Sequence, residues 1–275
     1  MPATVSADVH RLSGRWGRLD IHALGATVTS WAPGGVEQLF TCEDAEPSPG
    51  RMWHGGVPIC APWFGSGMGL DWEVPFRHGL VSRVAWQVVH STSGDDGATI
   101  VLRTDARSTC HLAGSDRFPA DLGYELRVEA DARELALSLT ITSPTQPTRI
   151  EAMFHPYLAT DVPSARLTGL GGISYRDYSD GTQGVEVSPL AIDGALDRVY
   201  DAAARVTIQD SSGSLDLAPE GAATAVVWNP GIVDGGFAPR EWQRFLCVEF
   251  GNAAAGAVDL QAGGSHRLGI RLTRA

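Results

Sequence analysis

The sequence contains no lysine, so every one of its 21 positive charges is an arginine. Schiff-base chemistry through a lysine amine and the lysine-bearing phosphate loop of nucleotide-binding proteins are therefore excluded. Positive charge is also scarce overall, because 32 acidic residues give a net charge of −11. Such a balance does not favour attraction to phosphate backbones or anionic lipids. We expect neither nucleic acid nor membrane as a partner.

Long apolar runs are missing as well. No stretch approaches the ~20 residues that cross a bilayer, and residues 1–17, MPATVSADVHRLSGRWG, lack the apolar segment of a secretion signal. The four cysteines, Cys42, Cys60, Cys110 and Cys247, form no CxxC pair, which excludes zinc fingers and thioredoxin-like motifs. We expect a cytoplasmic, soluble protein without a disulfide framework.

Short segments in which apolar and polar residues alternate make up most of the chain. In ELALSLTITS, Leu135, Leu137, Leu139 and Ile141 fall on one face of a strand. The 32 glycines and 16 prolines separate such segments. The pattern predicts a single all-β domain over residues 1–275, a large antiparallel sandwich or barrel with few short helices. The helix expected here lies around APREWQRF. The segments are RLDIHAL, VAWQVVHS, ATIVLRTD, YELRVEA, ELALSLTITS, ARLTGL, VEVSPLAI, RVTIQD, LDLAP, TAVVWN, RFLCVEF and HRLGIRLT.

Two ionisable residues interrupt apolar strand-like segments. His155 in EAMFHPYLATD precedes a proline, which favours an extended backbone and fixes the orientation of the ring. Glu249 in RFLCVEFGN lies among apolar neighbours, where desolvation raises a carboxyl pKa toward the range of a general base. The alternatives are a hydrogen-bonded core histidine and a buried structural ion pair.

Three further positions carry weaker signals. His78 in FRHGLVSRVAW precedes Gly79, which permits either a turn or a close ligand, and the alternative is a plain turn histidine. Asp177 in YRDYSDG is either functional or caps its own turn. Trp228 in VVWNPG is a platform for a sugar or part of a packed turn.

Six blocks in this order resemble the aldose 1-epimerase (galactose mutarotase) superfamily, and within it the hexose-6-phosphate mutarotases, or glucose-6-phosphate 1-epimerases. That branch shows RGGIP…CPWFG, HGFARN…W, a strand ending LHxY, GLxG…YxD, VWNP and a late CVE strand. The corresponding blocks of this chain are HGGVPICAPWFG, HGLVSRVAW, MFHPYL, GLGGISYRDYSDG, VVWNPG and LCVEFGN.

The resemblance implies a β-supersandwich that binds a pyranose and interconverts its α- and β-anomers, an isomerase that needs no metal or cofactor. By this match His155 is the general acid that protonates the ring oxygen, and Glu249 is the base that accepts the anomeric proton. His78 hydrogen-bonds the sugar near its ring oxygen, and Asp177 holds a hydroxyl. In the first block, Gly55 and Gly56 would bring the backbone close to the sugar.

The departures from the family pattern concern the substrate. His54 replaces the arginine at the head of the first block, and Ser82 replaces the arginine of HGFAR. Both changes remove a guanidinium suited to bidentate phosphate contacts. Arg51, Arg77 and Arg83 are candidates to compensate, although a strand would point Arg83 away from Ser82.

The sequence thus predicts a mutarotase whose ligand is a sugar or sugar phosphate, and it leaves two alternatives. One is a carbohydrate-binding protein without catalytic activity, which would not need both His155 and Glu249. The other is an enzyme of the same fold that acts on another sugar derivative. The oligomeric state is not predicted.

Overall fold

The regular structure of the protein is mostly β-strand. The computed structural model describes residues 9–42, 45, 47–232 and 237–274. Residues 1–8, which belong to the N-terminal stretch without a secretion signal, lie outside the described residues. The strands are β1 (Val9–Gly14), β2 (Gly17–His22), β3 (Thr27–Pro33), β4 (Ile59–Cys60), β5 (Gln87–Ser93), β6 (Ala98–Asp105), β7 (Gly123–Ala130), β8 (Glu134–Ser143), β9 (Thr148–Ile150), β10 (Ala152–Phe154), β11 (Tyr157–Ala159), β12 (Arg166–Thr168), β13 (Ser174–Asp177), β14 (Gln183–Val185), β15 (Leu190–Ala191), β16 (Leu196–Tyr200), β17 (Val206–Asp210), β18 (Gly213–Glu220), β19 (Thr224–Asn229), β20 (Phe245–Asn252), β21 (Val258–Leu260) and β22 (Gly264–Arg274).

Within the described residues, helical structure is limited to single turns. They are α1 (Ala106–Thr109) and the 3₁₀ turns Val81–Arg83, Ser115–Arg117, Val162–Ser164, Glu241–Gln243 and Ala254–Gly256. In the described ranges, no helix is long and apolar enough to cross a membrane.

Two large antiparallel sheets dominate the described residues. The nine strands of one follow the order β15-β12-β17-β18-β22-β8-β7-β6-β5. The other has eight strands in the order β14-β13-β16-β19-β20-β10-β4, with β11 paired to β20. Smaller ladders join β1, β2 and β3, and β9 with β21. The predicted all-β supersandwich with few short helices is confirmed.

The period of two along the strands decides which side chains face the core. In β8, Leu135, Leu137, Leu139 and Ile141 are buried, as their alternation predicts. They belong to one apolar cluster with Val248 of the other sheet. Burial of such side chains contributes about 25 cal/mol per Å² of apolar surface, which makes this core the main source of stability.

Strand β20 is buried on both faces, and the two faces differ. Leu246, Val248 and Phe250 belong to the core between the sheets. Cys247 and Glu249 alternate with them and therefore face the opposite side. A functional residue on β20 thus lies on the face of the eight-stranded sheet that is turned away from the core.

The helix expected around APREWQRF is only the 3₁₀ turn Glu241–Gln243. Arg240 precedes it in a left-handed conformation, with φ of 70°. Strand β20 begins two residues after the turn, so the backbone has no length for a further helical turn. The Glu241 carboxylate accepts a hydrogen bond of 2.7 Å from the backbone N–H of Ala238.

A buried carboxylate organises the loop after β4. Glu151 is fully buried, and its oxygens accept hydrogen bonds from the backbone N–H groups of Phe64 (3.1 Å), Gly69 (2.7 Å) and Ala254 (2.8 Å). Burial raises the pKa of Glu151, and the hydrogen bonds oppose that rise. Glu151 thereby connects two loops to the central sheet.

Replacing Glu151 by glutamine should lower the free energy of unfolding by about 1–3 kcal/mol, because the amide NH₂ would face at least one backbone N–H that loses its acceptor. For a protein of this size, that corresponds to roughly 2–4 °C of melting temperature per kcal/mol. Thermal unfolding measures the effect. Glu129→Gln on the surface is the control, and equal melting temperatures for the two variants would contradict this role.

Candidate active site

A cavity of about 630 Å³ opens on the outer face of the eight-stranded sheet. Pockets of several hundred Å³ with a few convergent polar groups are typical binding sites for small molecules. Eight of the residues selected from the sequence line it: His155, Glu249, His78, His54, Trp228, Arg51, Arg77 and Arg83. Ser82 and Asp177 do not line it.

The strand register brings His155 and Glu249 together. Phe154 at the end of β10 pairs with Phe250, and Tyr157 at the start of β11 pairs with Cys247. Between these two pairs, the same register places His155 opposite Glu249. The Nε2 atom of His155 lies 3.4 Å from Oε1 of Glu249. Two residues almost a hundred positions apart in the chain therefore form one pair.

A row of side chains crosses the sheet beside this pair. Asp197 of β16 pairs with Trp228 of β19, Trp228 pairs with Cys247 of β20, and Cys247 pairs with Tyr157 of β11. The His155 ring stacks on Tyr157, with centroids 5.0 Å apart and an interplanar angle of 12°. The pair thus has aromatic rings along one side and a carboxylate, Asp197, at the end of the row.

Burial controls the protonation of the pair. It raises the pKa of Glu249 well above its usual value, and the negative charge of Asp197 adds to that rise. It lowers the pKa of His155 to about 3. Neither His155 Nδ1 nor Glu249 Oε2 has a hydrogen-bond partner among the described residues. Both groups therefore favour their neutral forms, with Glu249 protonated.

His78 faces the same cavity from an unusual backbone conformation. Its φ is 67° and that of Gly79 is 70°. The ring lies edge-on to His155 with centroids 5.4 Å apart, and its Nδ1 is 3.4 Å from the N–H of Gly65. Because Nδ1 accepts there, the proton of the neutral ring lies on Nε2. Burial lowers the pKa of His78 well below its usual value, so the ring offers a neutral donor.

The strand geometry expected at Ser82 and Arg83 differs from the structure. The segment is the 3₁₀ turn Val81–Arg83 and not a strand, so neighbouring side chains diverge by about a third of a turn. Arg83 lines the cavity. Ser82 is buried behind it, and its Oγ has no hydrogen-bond partner among the described residues.

Asp177 also lies outside the cavity. It accepts hydrogen bonds from Ser179 Oγ (2.6 Å), from the backbone N–H of Asp197 (3.2 Å) and from Arg198 Nε (3.2 Å). Burial opposes ionisation of Asp177, but these hydrogen bonds outweigh it and lower its pKa. The aspartate that lines the cavity, beside Glu241 and Glu249, is Asp197.

Sequence reasoning missed Asp197. Its only local signal is an acidic residue near the start of the short strand LDRVY. The backbone bond from Asp197 to Asp177 shows how the two are related, because Asp177 holds the strand that presents Asp197. Burial raises the pKa of Asp197, while the charge of Arg77 lowers it.

The glycine pair of the first block lies where an added Cβ would collide with neighbouring backbone. A Cβ on Gly56 would lie 2.1 Å from the carbonyl oxygen of Val28, and one on Gly55 would lie 2.6 Å from Cα of Thr41. Both glycines are buried and neither lines the cavity. The expectation that they bring the backbone close to a sugar stays a prediction. They allow this segment to pack directly on β3 and on Thr41.

The rim of the cavity carries positive charge. The guanidinium groups of Arg51 and Arg77 are exposed and have neither a hydrogen-bond nor an ion-pair partner among the described residues. His54 stacks on Phe237 with centroids 5.7 Å apart, and burial lowers its pKa.

Among the described residues, no group of three or more histidine, cysteine, aspartate and glutamate side chains is placed to hold a metal ion.

Glu249→Gln should make the protein more stable at high pH relative to the wild type. Because the folded pKa is raised, the folded chain binds more protons than the unfolded chain above pH ~4.5, so the wild type loses stability as pH rises toward the folded pKa. Each unit between the two pKa values corresponds to about 1.4 kcal/mol. Thermal unfolding at pH 5 and pH 8.5 should show the gain growing with pH. Glu129→Gln should show no such growth, and a constant difference for Glu249→Gln would contradict the raised pKa.

The profile of the aldose 1-epimerase family matches residues 9–273. A protein of Cenchrus ciliaris provisionally named glucose-6-phosphate 1-epimerase is 26% identical over 253 residues, covering 84% of this chain and 73% of that protein. One from Salmonella typhimurium with the same provisional name is 26% identical over 242 residues, covering 82% and 76%.

Solved structures share the fold. The crystal structure of YeaD from Salmonella typhimurium, provisionally described as a mutarotase, has a TM-score of 0.84 at 22% identity and covers 98% of this chain and 92% of that chain. The Slr1438 protein from Synechocystis sp. PCC 6803 has a TM-score of 0.80 at 18% identity, covering 99% and 98%. With the family profile spanning almost the whole described chain, the resemblance seen in the sequence is confirmed, and the chain belongs to the aldose 1-epimerase family.

Proposed function

We propose that this protein is a mutarotase that interconverts the α- and β-anomers of a hexose or hexose phosphate, with His155 as the acid and Glu249 as the base. The observation that carries the proposal is the buried pair at 3.4 Å in a cavity of sugar size. An imidazole and a carboxyl group in contact can give one proton and accept another in the same step.

The proposed reaction moves two protons. Glu249 accepts the proton of the anomeric hydroxyl while His155 donates one to the ring oxygen, the C1–O5 bond breaks, and C1 becomes an aldehyde. Rotation about the C1–C2 bond then presents the other face of the aldehyde. The reverse transfers, from Glu249 to the carbonyl oxygen and from the O5 hydroxyl to His155, close the ring as the other anomer.

The protonation that burial favours fits the open-chain stage of this reaction. After ring opening, Glu249 carries a proton and His155 is neutral, which is the state that burial favours. Ring opening starts from the ionised pair, in which His155 is protonated and Glu249 is a carboxylate. This ionised pair carries the same number of protons as the neutral pair. Burial thus lowers the free energy of the open-chain stage relative to the closed one.

The remaining cavity groups have proposed roles in holding the sugar. The Nε2–H of His78 donates to an oxygen near the ring oxygen, and the Asp197 carboxylate accepts from a hydroxyl. Trp228 lies in the same cross-strand row as Asp197. Its ring provides an apolar surface for the pyranose.

His155→Ala and Glu249→Gln should each lower catalysed anomer exchange by at least about 10²-fold, because each removes one of the two proton transfers. Exchange NMR at equilibrium with glucose, galactose and glucose 6-phosphate measures the rate. His90→Gln, an exposed histidine on β5, and Glu129→Gln are the controls.

Wild-type-like exchange in either catalytic variant would overturn the assignment of roles. No exchange by the wild-type protein with any of the three sugars would overturn the mutarotase proposal for these substrates. Sugar binding in that case would point to a carbohydrate-binding protein, or to an enzyme acting on another derivative.

The unpaired arginines favour a substrate with an anionic substituent. Arg51 and Arg77 face the cavity without protein partners among the described residues. Guanidinium groups bind phosphate with charge-assisted hydrogen bonds worth about 1.5–3 kcal/mol each. We therefore propose that Arg51 and Arg77 take over the phosphate contacts of the two family arginines whose positions are occupied here by His54 and Ser82. We also propose that a hexose phosphate is the preferred substrate.

Arg77→Ala should lower kcat/KM for glucose 6-phosphate by about 10- to 100-fold relative to kcat/KM for glucose. The ratio of the two substrates is the measurement, because loss of the Arg77 charge also raises the pKa of Glu249 for both. Arg103→Ala on the nine-stranded sheet is the control. An equal loss with both sugars would show that Arg77 acts on the proton transfers and not on the phosphate.

A further inference from the structure

The third arginine of the cavity, Arg83, is bonded to backbone. Its Nε donates to the carbonyl oxygen of Gly79 (2.9 Å), Nη2 to that of Arg77 (2.8 Å) and Nη1 to that of Gly50 (2.6 Å). The guanidinium carbon also lies 4.1 Å from the ring centroid of Phe76. One side chain thus contacts two separate segments of the cavity wall.

Two of these carbonyls belong to the residues on either side of His78. His78 and Gly79 are consecutive left-handed residues, a conformation that a histidine rarely adopts and that the surroundings must maintain. The turn is also fixed by packing, since a Cβ on Gly79 would lie 2.2 Å from the carbonyl oxygen of Ala61. Arg83 holds the peptide group that precedes His78 and the one that follows Gly79.

The third carbonyl ties in the opposite segment. Gly50 directly precedes Arg51, and its own N–H donates to the carbonyl of Arg83 at 3.1 Å. The reciprocal bonds join this segment to the turn that carries His78. A guanidinium suits the task because its donors lie in a rigid planar fork, whereas a lysine ammonium is a point charge on a flexible stem.

We propose that Arg83 is a positioning residue for the reaction: it holds His78 at the angle from which Nε2–H reaches the sugar. This inference rests on the proposed function. The three arginines of the cavity then have different roles. Arg83 is bonded to the backbone, whereas Arg51 and Arg77 are open to a ligand.

Arg83→Gln should lower kcat/KM about 10- to 100-fold. The reason is that a shift of the His78 ring by about 1 Å is enough to reduce the rate by up to about 100-fold. The loss should be equal for glucose and glucose 6-phosphate, since His78 is placed near the ring oxygen and not near the phosphate. Arg83→Lys keeps the charge but not the fork and should lose nearly as much. Wild-type-like rates for Arg83→Lys, or a loss confined to glucose 6-phosphate, would overturn the proposal.

A double-mutant cycle tests whether Arg83 acts through His78. If it does, His78→Ala combined with Arg83→Gln should be no slower than His78→Ala alone, within about threefold. Multiplication of the two single losses would overturn the proposal. Arg103→Gln on the far sheet is the control and should combine multiplicatively, with little effect of its own. Thermal unfolding is measured for every variant, and Arg83→Lys replaces Arg83→Gln in the cycle if the glutamine variant does not fold.

A spectroscopic readout separates this proposal from the proposed function. Ring ¹⁵N signals of the histidines should report the Nε2–H form of His78 in the wild type, and a shifted or averaged His78 signal in the Arg83 variants with His90 unchanged. Absence of anomer exchange in the wild type would overturn the proposed function alone. An unchanged His78 signal in both Arg83 variants would overturn the positioning role alone.

Discussion

The arrangement of the site depends on one buried carboxyl group. Glu249 lies in β20, which is buried along its whole length, and it meets His155 at 3.4 Å. Removing a carboxylate from water disfavours its charge, and burial acts oppositely on the imidazole. Burial therefore favours the neutral form of the pair, with Glu249 protonated, and reversible proton exchange with a sugar is the role we propose for it. Both side chains are buried, and the rings of Tyr157 and Trp228 pack against His155.

In this chain without lysine, the arginines have three different roles: ion pairs within a sheet, hydrogen bonds to backbone, and unpaired positive charge at the cavity. Arg198 pairs with Asp177 at 3.2 Å and with Glu186 at 2.8 Å, inside the sheet that presents Asp197. Arg83 bonds to three backbone carbonyls. Arg51 and Arg77 remain open to the cavity. Planar, permanently charged groups can satisfy several acceptors at fixed angles, which explains how the same residue type serves as a structural tie and as a candidate ligand for an anion.

The conformation of the backbone around the cavity is held by contacts from outside it. Glu151 anchors the loop that contains Phe64, and Phe64 packs edge-on against His78 with centroids 5.2 Å apart. Glycines in this region mainly allow segments to approach each other, as at Gly56 and Gly79. The left-handed His78 is the exception, because it carries a side chain in a conformation that costs free energy. Its position between the Glu151-anchored loop and Arg83 shows how the fold maintains it.

The sequence by itself determined the longer alternating strands, such as β8, because a period of two is typical of a half-buried strand. It did not predict short strands such as β4 and β13. It also pointed to His155, Glu249, His78 and Trp228, since ionisable or aromatic groups in apolar strands need partners or a function. Only the tertiary structure decided that Asp197 and not Asp177 lines the cavity, and that Arg83 and not Ser82 does. The reason is physical: which side chains meet depends on the register between strands distant in the chain, and on a 3₁₀ turn that rotates successive side chains, and neither is encoded in local periodicity.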